Sequence, residues 1–314
     1  MKKILLLVLV LFVFSFALEM KGVIVNELTI ADANQNGVIK FGKSRLTLTQ
    51  KTEGGSSFVY IINPMASAAA DTADYLWVDT PLLGGTLRIG KQRLGLANYG
   101  GGVYQTNTIV KVGVMKDTGV SYATKFYDVK TKVFVTGGSD TDVNRKVGVH
   151  AKTKVYGINL GVAGMFARVG EALTVPADNR KTEGMAVRVD ADTMLYGFKV
   201  AGTYYAELSD DAAVALSPPA AYPFYSAAGK QRTIGGLFVS TKLETFGFKY
   251  GLYADLVAQI AKNYGTISET SFGGCLDVNE DAKLFVEFIL TETSKNNDKN
   301  ESSRKAIVNL QIKI

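Results

Sequence analysis

Alternation of apolar and polar side chains with a period of two is the feature that most constrains the fold of this chain. Near the C-terminus, Ala306, Val308, Leu310 and Ile312 alternate with a mostly polar set, and residues 246–256 alternate in the same way. This period is typical of β-strands with one apolar and one polar face. The sequence therefore predicts an all-β fold. About sixteen strands are expected, near 20–30, 37–51, 56–63, 74–80, 85–92, 118–127, 129–137, 145–154, 156–167, 181–191, 194–207, 231–243, 246–257, 269–278, 281–292 and 303–314.

The connections between these predicted strands alternate between short and long. Tight ones fall near 53, 83, 128, 155, 192, 245 and 279, and the longest covers 209–231. Short periplasmic turns at one end and long outer loops at the other are the signature of a transmembrane antiparallel β-barrel. A soluble β-sandwich is the alternative, but it has no reason to segregate long loops at one end. Its closed apolar core would also not accept the inward-facing lysines that a wet lumen accepts.

Residues 1–17 have the order of a secretory signal peptide. Lys2 and Lys3 precede an apolar run over 4–14, and Ser15 and Ala17 supply small side chains at the two positions that a signal peptidase reads. The alternative is a membrane anchor, for which the run is short of the roughly 20 residues needed. We expect export and a mature chain of residues 18–314 that forms a single barrel in the cell outer membrane, because only helices and closed barrels satisfy every backbone group in lipid.

Histidine and cysteine each occur once, as His150 and Cys275. This count excludes an internal disulfide and most zinc and Ser/His chemistry. His150 has the inward parity of its strand with lysines as sequence neighbours, so a pore-lining role is favoured over a general base. The net charge of +6 is mild and the lysines are spread singly, so no nucleic-acid partner is expected. No cofactor or metal is predicted.

One segment resembles the start of an EF-hand calcium loop. Residues 32–37 read DANQNG, but the twelfth position of that loop is Lys43 where calcium binding requires a bidentate glutamate. A turn between the first two strands is therefore favoured over a calcium site.

The order of features from Gly42 to Gly95 resembles the general bacterial porins. GKSRLTLTQKTEGG is similar to their second strand and its glycine turn, SSFVYIINP to the returning strand, and YLWVDTPLLGGTLRIGKQRL to a strand pair that ends in a glycine–basic–polar motif. The resemblance implies a homotrimeric barrel with a long third loop that folds into the pore, here residues 93–117. The alternative is a flexible outer loop. Three consecutive glycines, 100–102, would permit the sharp backbone path of a fold-in.

The resemblance also implies which residues narrow the channel. Arg45 matches the second-strand arginine, and Lys91 stands where the motif has arginine. Strict alternation points Arg88 inward and Lys91 outward, and a bulge near Gly90 would reconcile the two. The loop has no acid before Asp117, which departs from the family pattern. The candidate pore-lining residues are Lys43, Arg45, Arg88, Lys91, Arg93, Lys111 and Lys125, with Arg45 and Arg88 foremost.

The resulting hypothesis is a passive, water-filled channel for small hydrophilic solutes and ions, embedded in outer-membrane lipid and performing no covalent chemistry. On the inward parity we count sixteen basic against seven acidic residues, an excess of about nine that predicts mild anion selectivity. The alternative is a structural or adhesive outer-membrane barrel. A barrel enzyme is less favoured, because no acid in the sequence is placed to orient His150.

Overall fold

One antiparallel sheet of seventeen strands makes up the computed structural model. The structure describes residues 18–31, 38–41, 45–62, 73–95, 114–137, 143–170, 182–208, 232–261, 265–295 and 301–313. The strands are β1 (Leu18–Ala31), β2 (Val38–Phe41), β3 (Arg45–Lys51), β4 (Ser57–Ile62), β5 (Ala73–Leu82), β6 (Gly85–Gly95), β7 (Val114–Phe126), β8 (Val129–Thr136), β9 (Val143–Val155), β10 (Ile158–Gly170), β11 (Thr182–Leu195), β12 (Phe198–Glu207), β13 (Arg232–Thr245), β14 (Phe248–Ala261), β15 (Gly265–Asp277), β16 (Ala282–Lys295) and β17 (Glu301–Lys313).

The strand pairings return to their starting point. From β3 to β17 each strand pairs with the next one along the chain, and β17 pairs with residues 23–31 of β1. β1 in turn pairs with β2 through residues 26–29 and with β3 through residues 18–23. Because β2 and β3 follow one another along β1, they share one position, and the ring has sixteen positions. The predicted all-β barrel of about sixteen strands is confirmed.

The outer face of this ring is apolar. On β9, Val147 and Val149 are 54% and 46% exposed, whereas Lys146 and Gly148, which alternate with them, are buried. The alternation that predicted the strands therefore separates an apolar exterior from a polar interior, as a barrel in lipid requires. Exposed large apolar side chains occur likewise on the other strands, among them Val78, Ile89, Val120, Val133, Val162, Val189, Leu237, Leu252, Leu256, Phe272, Phe288 and Ile312. Among the described residues, no helix is long and apolar enough to cross a membrane.

Two-residue turns close five consecutive hairpins at one end of the barrel, which we call the tight-turn end. In the β9–β10 turn, Tyr156 and Gly157 have φ values of 47° and 84°, the left-handed pair of a type I′ turn. Asparagine or aspartate would be the usual first residue, but this chain uses exposed aromatic or apolar ones. The five first residues are Leu83, Tyr127, Tyr156, Tyr196 and Phe246. Four of the five are aromatic.

Replacing a turn glycine isolates the backbone cost of this geometry. We expect Gly157→Ala to lower the free energy of unfolding by about 1–2 kcal/mol, because the left-handed conformation is disfavoured for any residue with a Cβ. A Cβ at Gly157 would meet no atom within 4 Å, so sterics with neighbours do not contribute. Gly164→Ala in the same hairpin is the matched control, since its Cβ also meets nothing and its φ is not positive. Equal urea midpoints for the two variants would contradict the prediction.

The bulge predicted near Gly90 is absent. β6 keeps one register with β5 from Leu82↔Gly85 to Leu76↔Lys91, and one register with β7 across Gly90↔Gly119. Gly90 instead adopts a φ of 131°. The distortion of β6 is therefore confined to the backbone angle of Gly90, and no extra residue is inserted. The alternation of inward and outward side chains continues through Gly90 without a break.

Candidate functional site: the polar inner wall

An arginine–carboxylate pair lies on the inner wall where β5 meets β6. Arg88 Nε and Nη2 donate to the two carboxylate oxygens of Asp79 at 2.6 and 2.7 Å. The Arg88 guanidinium also lies 4.4 Å above the ring of Trp77, whose Nε1 donates to Asp79 at 3.2 Å. The fork geometry and the ring contact fix the orientation of the guanidinium. Lys132 on β8 interacts electrostatically with both members of the pair. Arg88 is therefore an oriented and partly neutralised wall cation.

A buried amide lies next to this pair. Gln92 Nε2 donates to the carbonyl of Gly119 at 3.2 Å, and its Oε1 accepts from the hydroxyl of Ser121 at 2.8 Å. Gln92 has no solvent exposure. These bonds link β6 to β7 across the inner face at the level where two glycines, Gly90 and Gly119, face one another.

A second polar cluster lies on β11 and β12. Arg188 Nε donates to Asp190 at 2.8 Å, and the hydroxyl of Thr203 donates to the same carboxylate oxygen at 2.6 Å. Both Arg188 and Asp190 are buried. On the next strand, the hydroxyl of Tyr205 donates to Glu207 at 3.1 Å. The alternation of the sequence predicts that Arg188, Asp190 and Glu207 face inward, but it cannot show which groups pair with one another.

The single histidine lies near this cluster. His150 is directly opposite Lys132 on β8 and Ala163 on β10, and Gly161 leaves the space between it and Asp190 open. A Cβ at Gly161 would lie 3.6 Å from His150 Nε2 and 3.8 Å from Asp190 Oδ2. The sequence showed only lysines around His150. The barrel brings an acid to it from two strands away, which local sequence cannot reveal.

Three of the seven predicted pore-lining residues have side chains that the structure describes. Arg88 lies on the inner face. Lys91 lies on the opposite face from Arg88, because its cross-strand partners Leu76 and Thr118 are exposed and directly opposed residues share a face. Lys125 lies at the tight-turn end, where it pairs with Asp128 at 3.3 Å and is 59% exposed.

The remaining candidates are only partly placed. Arg45 begins β3 opposite Val23, and Arg93 lies in β6 opposite Lys116; their side chains are outside the described part of the structure. Lys43, Lys111 and the segment 32–37 lie outside the described residues. The predicted loop 93–117 is shortened at both ends, because β6 continues to Gly95 and β7 begins at Val114. Residues 96–113 also lie outside the described residues.

Charges of both signs line the described inner wall. The fourteen basic residues are Lys51, Arg88, Lys125, Lys130, Lys132, Lys146, Lys152, Lys154, Arg188, Lys199, Lys242, Lys249, Lys283 and Lys305. The ten acidic residues are Asp79, Asp190, Asp192, Glu207, Glu244, Asp255, Glu269, Asp277, Glu287 and Glu301. The excess is four among the described side chains, whereas about nine was expected from sequence, a count that included Lys43, Arg45 and Lys313, whose side chains the structure does not describe. Part of the difference arises because Glu244, Glu269 and Glu301 share the inner face but were missed at uncertain strand ends.

Comparison with known proteins identifies the architecture. No family model matches the chain, and no curated protein matches it by sequence. Among solved structures, the anion-selective porin of Comamonas acidovorans is 12% identical, with 95% of this chain and 99% of that one covered and a TM-score of 0.64. The outer-membrane channel DcaP of Acinetobacter baumannii is 9% identical, with 95% and 97% covered and a TM-score of 0.69. The trimer form of OmpT, an outer membrane protein of Vibrio cholerae, is 11% identical, with 95% and 99% covered and a TM-score of 0.67. The chain has the porin fold.

The porin fold explains why polar side chains occupy the inner face. Rings of roughly sixteen to eighteen strands are in general too wide for side chains to fill the interior. Charged groups that would be costly in a closed apolar core are then placed against water or against one another. The Arg88 and Arg188 pairs follow this rule.

Proposed function

We propose that this chain is an outer-membrane channel that lets small hydrophilic solutes and ions diffuse passively across the membrane. One observation carries the proposal: a sixteen-position ring presents an apolar exterior and a charged, polar interior. The fold shared with an outer-membrane channel and an anion-selective porin supports it. The mechanism is size exclusion together with the electrostatic field of the wall, and no bond is made or broken.

The location and assembly belong to the same proposal. Export would remove residues 1–17, and residues 18–314 would form one barrel in the outer membrane. A homotrimer is supported by the resemblance of residues 42–95 to porins and by the neighbouring trimeric structure of OmpT. A structural or adhesive barrel remains the second candidate, and a sealed pore would favour it.

We further propose mild selectivity for anions, supported by the excess of four basic groups on the described wall. Reconstitution of the mature protein into planar bilayers tests both statements. We expect stepwise ohmic conductance and, in a potassium chloride gradient around 0.1 M, a zero-current potential that corresponds to a roughly twofold preference for chloride. Asp79→Asn should increase this preference, because it removes the carboxylate that neutralises Arg88.

Two outcomes would contradict these expectations. Insertion without conductance would overturn the channel and favour the structural barrel. Conductance with a cation-selective potential would retain the channel and reject the anion preference. Arg304→Gln is the control for removal of a charge, since Arg304 is exposed on the outer-face parity of β17, far from the tight-turn end.

A further inference from the structure

Lysines are concentrated at one level of the inner wall. In each hairpin the cross-strand pairs can be counted from the tight turn. The second pairs are Lys125↔Lys130, Lys154↔Asn159, Met194↔Lys199 and Glu244↔Lys249, in four consecutive hairpins. We name Lys125, Lys130, Lys154, Lys199 and Lys249 the lysine collar. Four of the five are exposed and Lys199 is half-buried, so the collar meets solvent at the tight-turn end.

Acids dominate the wall beyond the collar. Asp190, Glu207, Asp255, Glu269 and Glu287 all lie at the fifth cross-strand pair or further from the tight turns. Four of these five are buried, the exception being the half-buried Glu269. We name these five residues the acidic belt.

Among the side chains that the structure describes, the net charge of the inner wall therefore changes sign along the axis of the barrel. Within the first four cross-strand pairs from the tight turns, the described inner wall carries eleven basic and four acidic side chains, a net charge of +7. From the fifth pair onwards it carries three basic and six acidic side chains, a net charge of −3. Lys146, Arg188 and Lys305 are the three basic residues of that region.

We propose that the lysine collar is an anion-concentrating mouth at the tight-turn end, which makes the channel electrically asymmetric and selects multivalent carboxylate or phosphate anions entering from that side. The inference rests on the proposed channel function and adds a direction to it. Fixed charge of one sign raises the local concentration of counter-ions, and the effect grows with the valence of the ion. Of the described side chains, an anion entering at the tight-turn end meets the collar before the acidic belt, and one entering from the opposite end passes the belt before it reaches the collar.

The collar offers no fixed geometry for one ligand. Its lysines come from β7, β8, β9, β12 and β14, and each presents a flexible ammonium group that acts as a point charge. Valence therefore governs selection more than shape does. The Lys125 pair neutralises little charge, because its partner Asp128 is 90% exposed and solvent screens both groups. Glu244 lies directly opposite Lys249 and is the one acid among the described side chains of the second cross-strand pairs that form the collar.

Single-channel recording in 0.1 M potassium chloride tests the proposal. We expect the current at 100 mV of one polarity to exceed that of the other about twofold, and the ratio to approach one in 1 M salt, where the Debye length falls to about 3 Å. Citrate added to the tight-turn side should block at a roughly fivefold lower concentration than citrate added to the other side. The same recordings are made with a Lys125→Cys, Cys275→Ser protein. At the end of each of these recordings an anionic thiol reagent is added to one compartment and then to the other, and the compartment in which it reduces the current is the tight-turn side of that channel.

The combined variant Lys130→Gln, Lys154→Gln and Lys249→Gln should remove both asymmetries while leaving an open channel. The same three positions changed to arginine should keep them, because the charge is retained, and Arg304→Gln should also keep them. Asymmetry that survives the glutamine variant, or a wild-type channel with symmetric currents and symmetric block, would overturn the collar while leaving the channel intact. Absence of any conductance would instead reject the proposed function.

Discussion

Gly90→Ala should prevent most of the chain from reaching the folded barrel, with a loss of roughly 2–5 kcal/mol in the free energy of unfolding. A Cβ at this position would lie 2.2 Å from the carbonyl oxygen of Leu76 and 2.8 Å from the Cα of Trp77. Both atoms are backbone, so relief requires β5 and β6 to separate. The φ of 131° adds the cost of a conformation that side chains disfavour.

The measurement is the fraction of protein that migrates as a compact species on an unboiled gel, together with urea unfolding in lipid vesicles. Gly235→Ala is the matched control, because a Cβ there meets no atom within 4 Å and its φ is not positive. We expect Gly235→Ala to fold like the wild type. If Gly90→Ala also folds with an unchanged urea midpoint, the close approach of the β5 backbone does not require glycine at position 90.

Around Gly90 two arguments from the sequence disagree. Alternation points Arg88 inward and Lys91 outward, whereas the resemblance to porins implies that both line the pore, and a bulge near Gly90 would have reconciled the two. The structure keeps the strict alternation. A two-residue period is a property of each strand on its own, so the number of strands, about sixteen, and the faces of the strands with clear alternation could be predicted from sequence. The predicted strand 37–51 is two strands, β2 and β3, in the structure.

The sequence could not show which side chains contact one another on the inner face. Asp79 and Arg88 belong to adjacent strands, and their pairing depends on a register that alternation leaves undetermined. The approach of Asp190 to His150 spans two strands and depends on a glycine between them. The acids Glu244, Glu269 and Glu301 lie near strand ends, where predicted boundaries are uncertain by several residues. The charge gradient along the axis appears only when all hairpins are aligned by their turns.

Arg188→Met should be the second most damaging single change, with an expected loss of about 3–5 kcal/mol in the free energy of unfolding. Arg188 is fully buried and Asp190 is 7% exposed, so the substitution leaves a carboxylate without its cation in a poorly solvated part of the wall. The hydroxyl of Thr203 would still donate to Asp190, but one neutral hydrogen bond does not replace the charge.

Two further variants separate burial from charge in this prediction. Arg188→Met combined with Asp190→Asn should recover most of the loss, because no unpaired ion remains and the amide oxygen can still accept from Thr203. Lys125→Met breaks the exposed pair with Asp128 and should cost less than about 1 kcal/mol, since solvent screens both partners. Urea unfolding of the four proteins in lipid vesicles gives the comparison. If Arg188→Met costs no more than Lys125→Met, water from the lumen reaches Asp190, and the acidic belt is as well hydrated as the lysine collar.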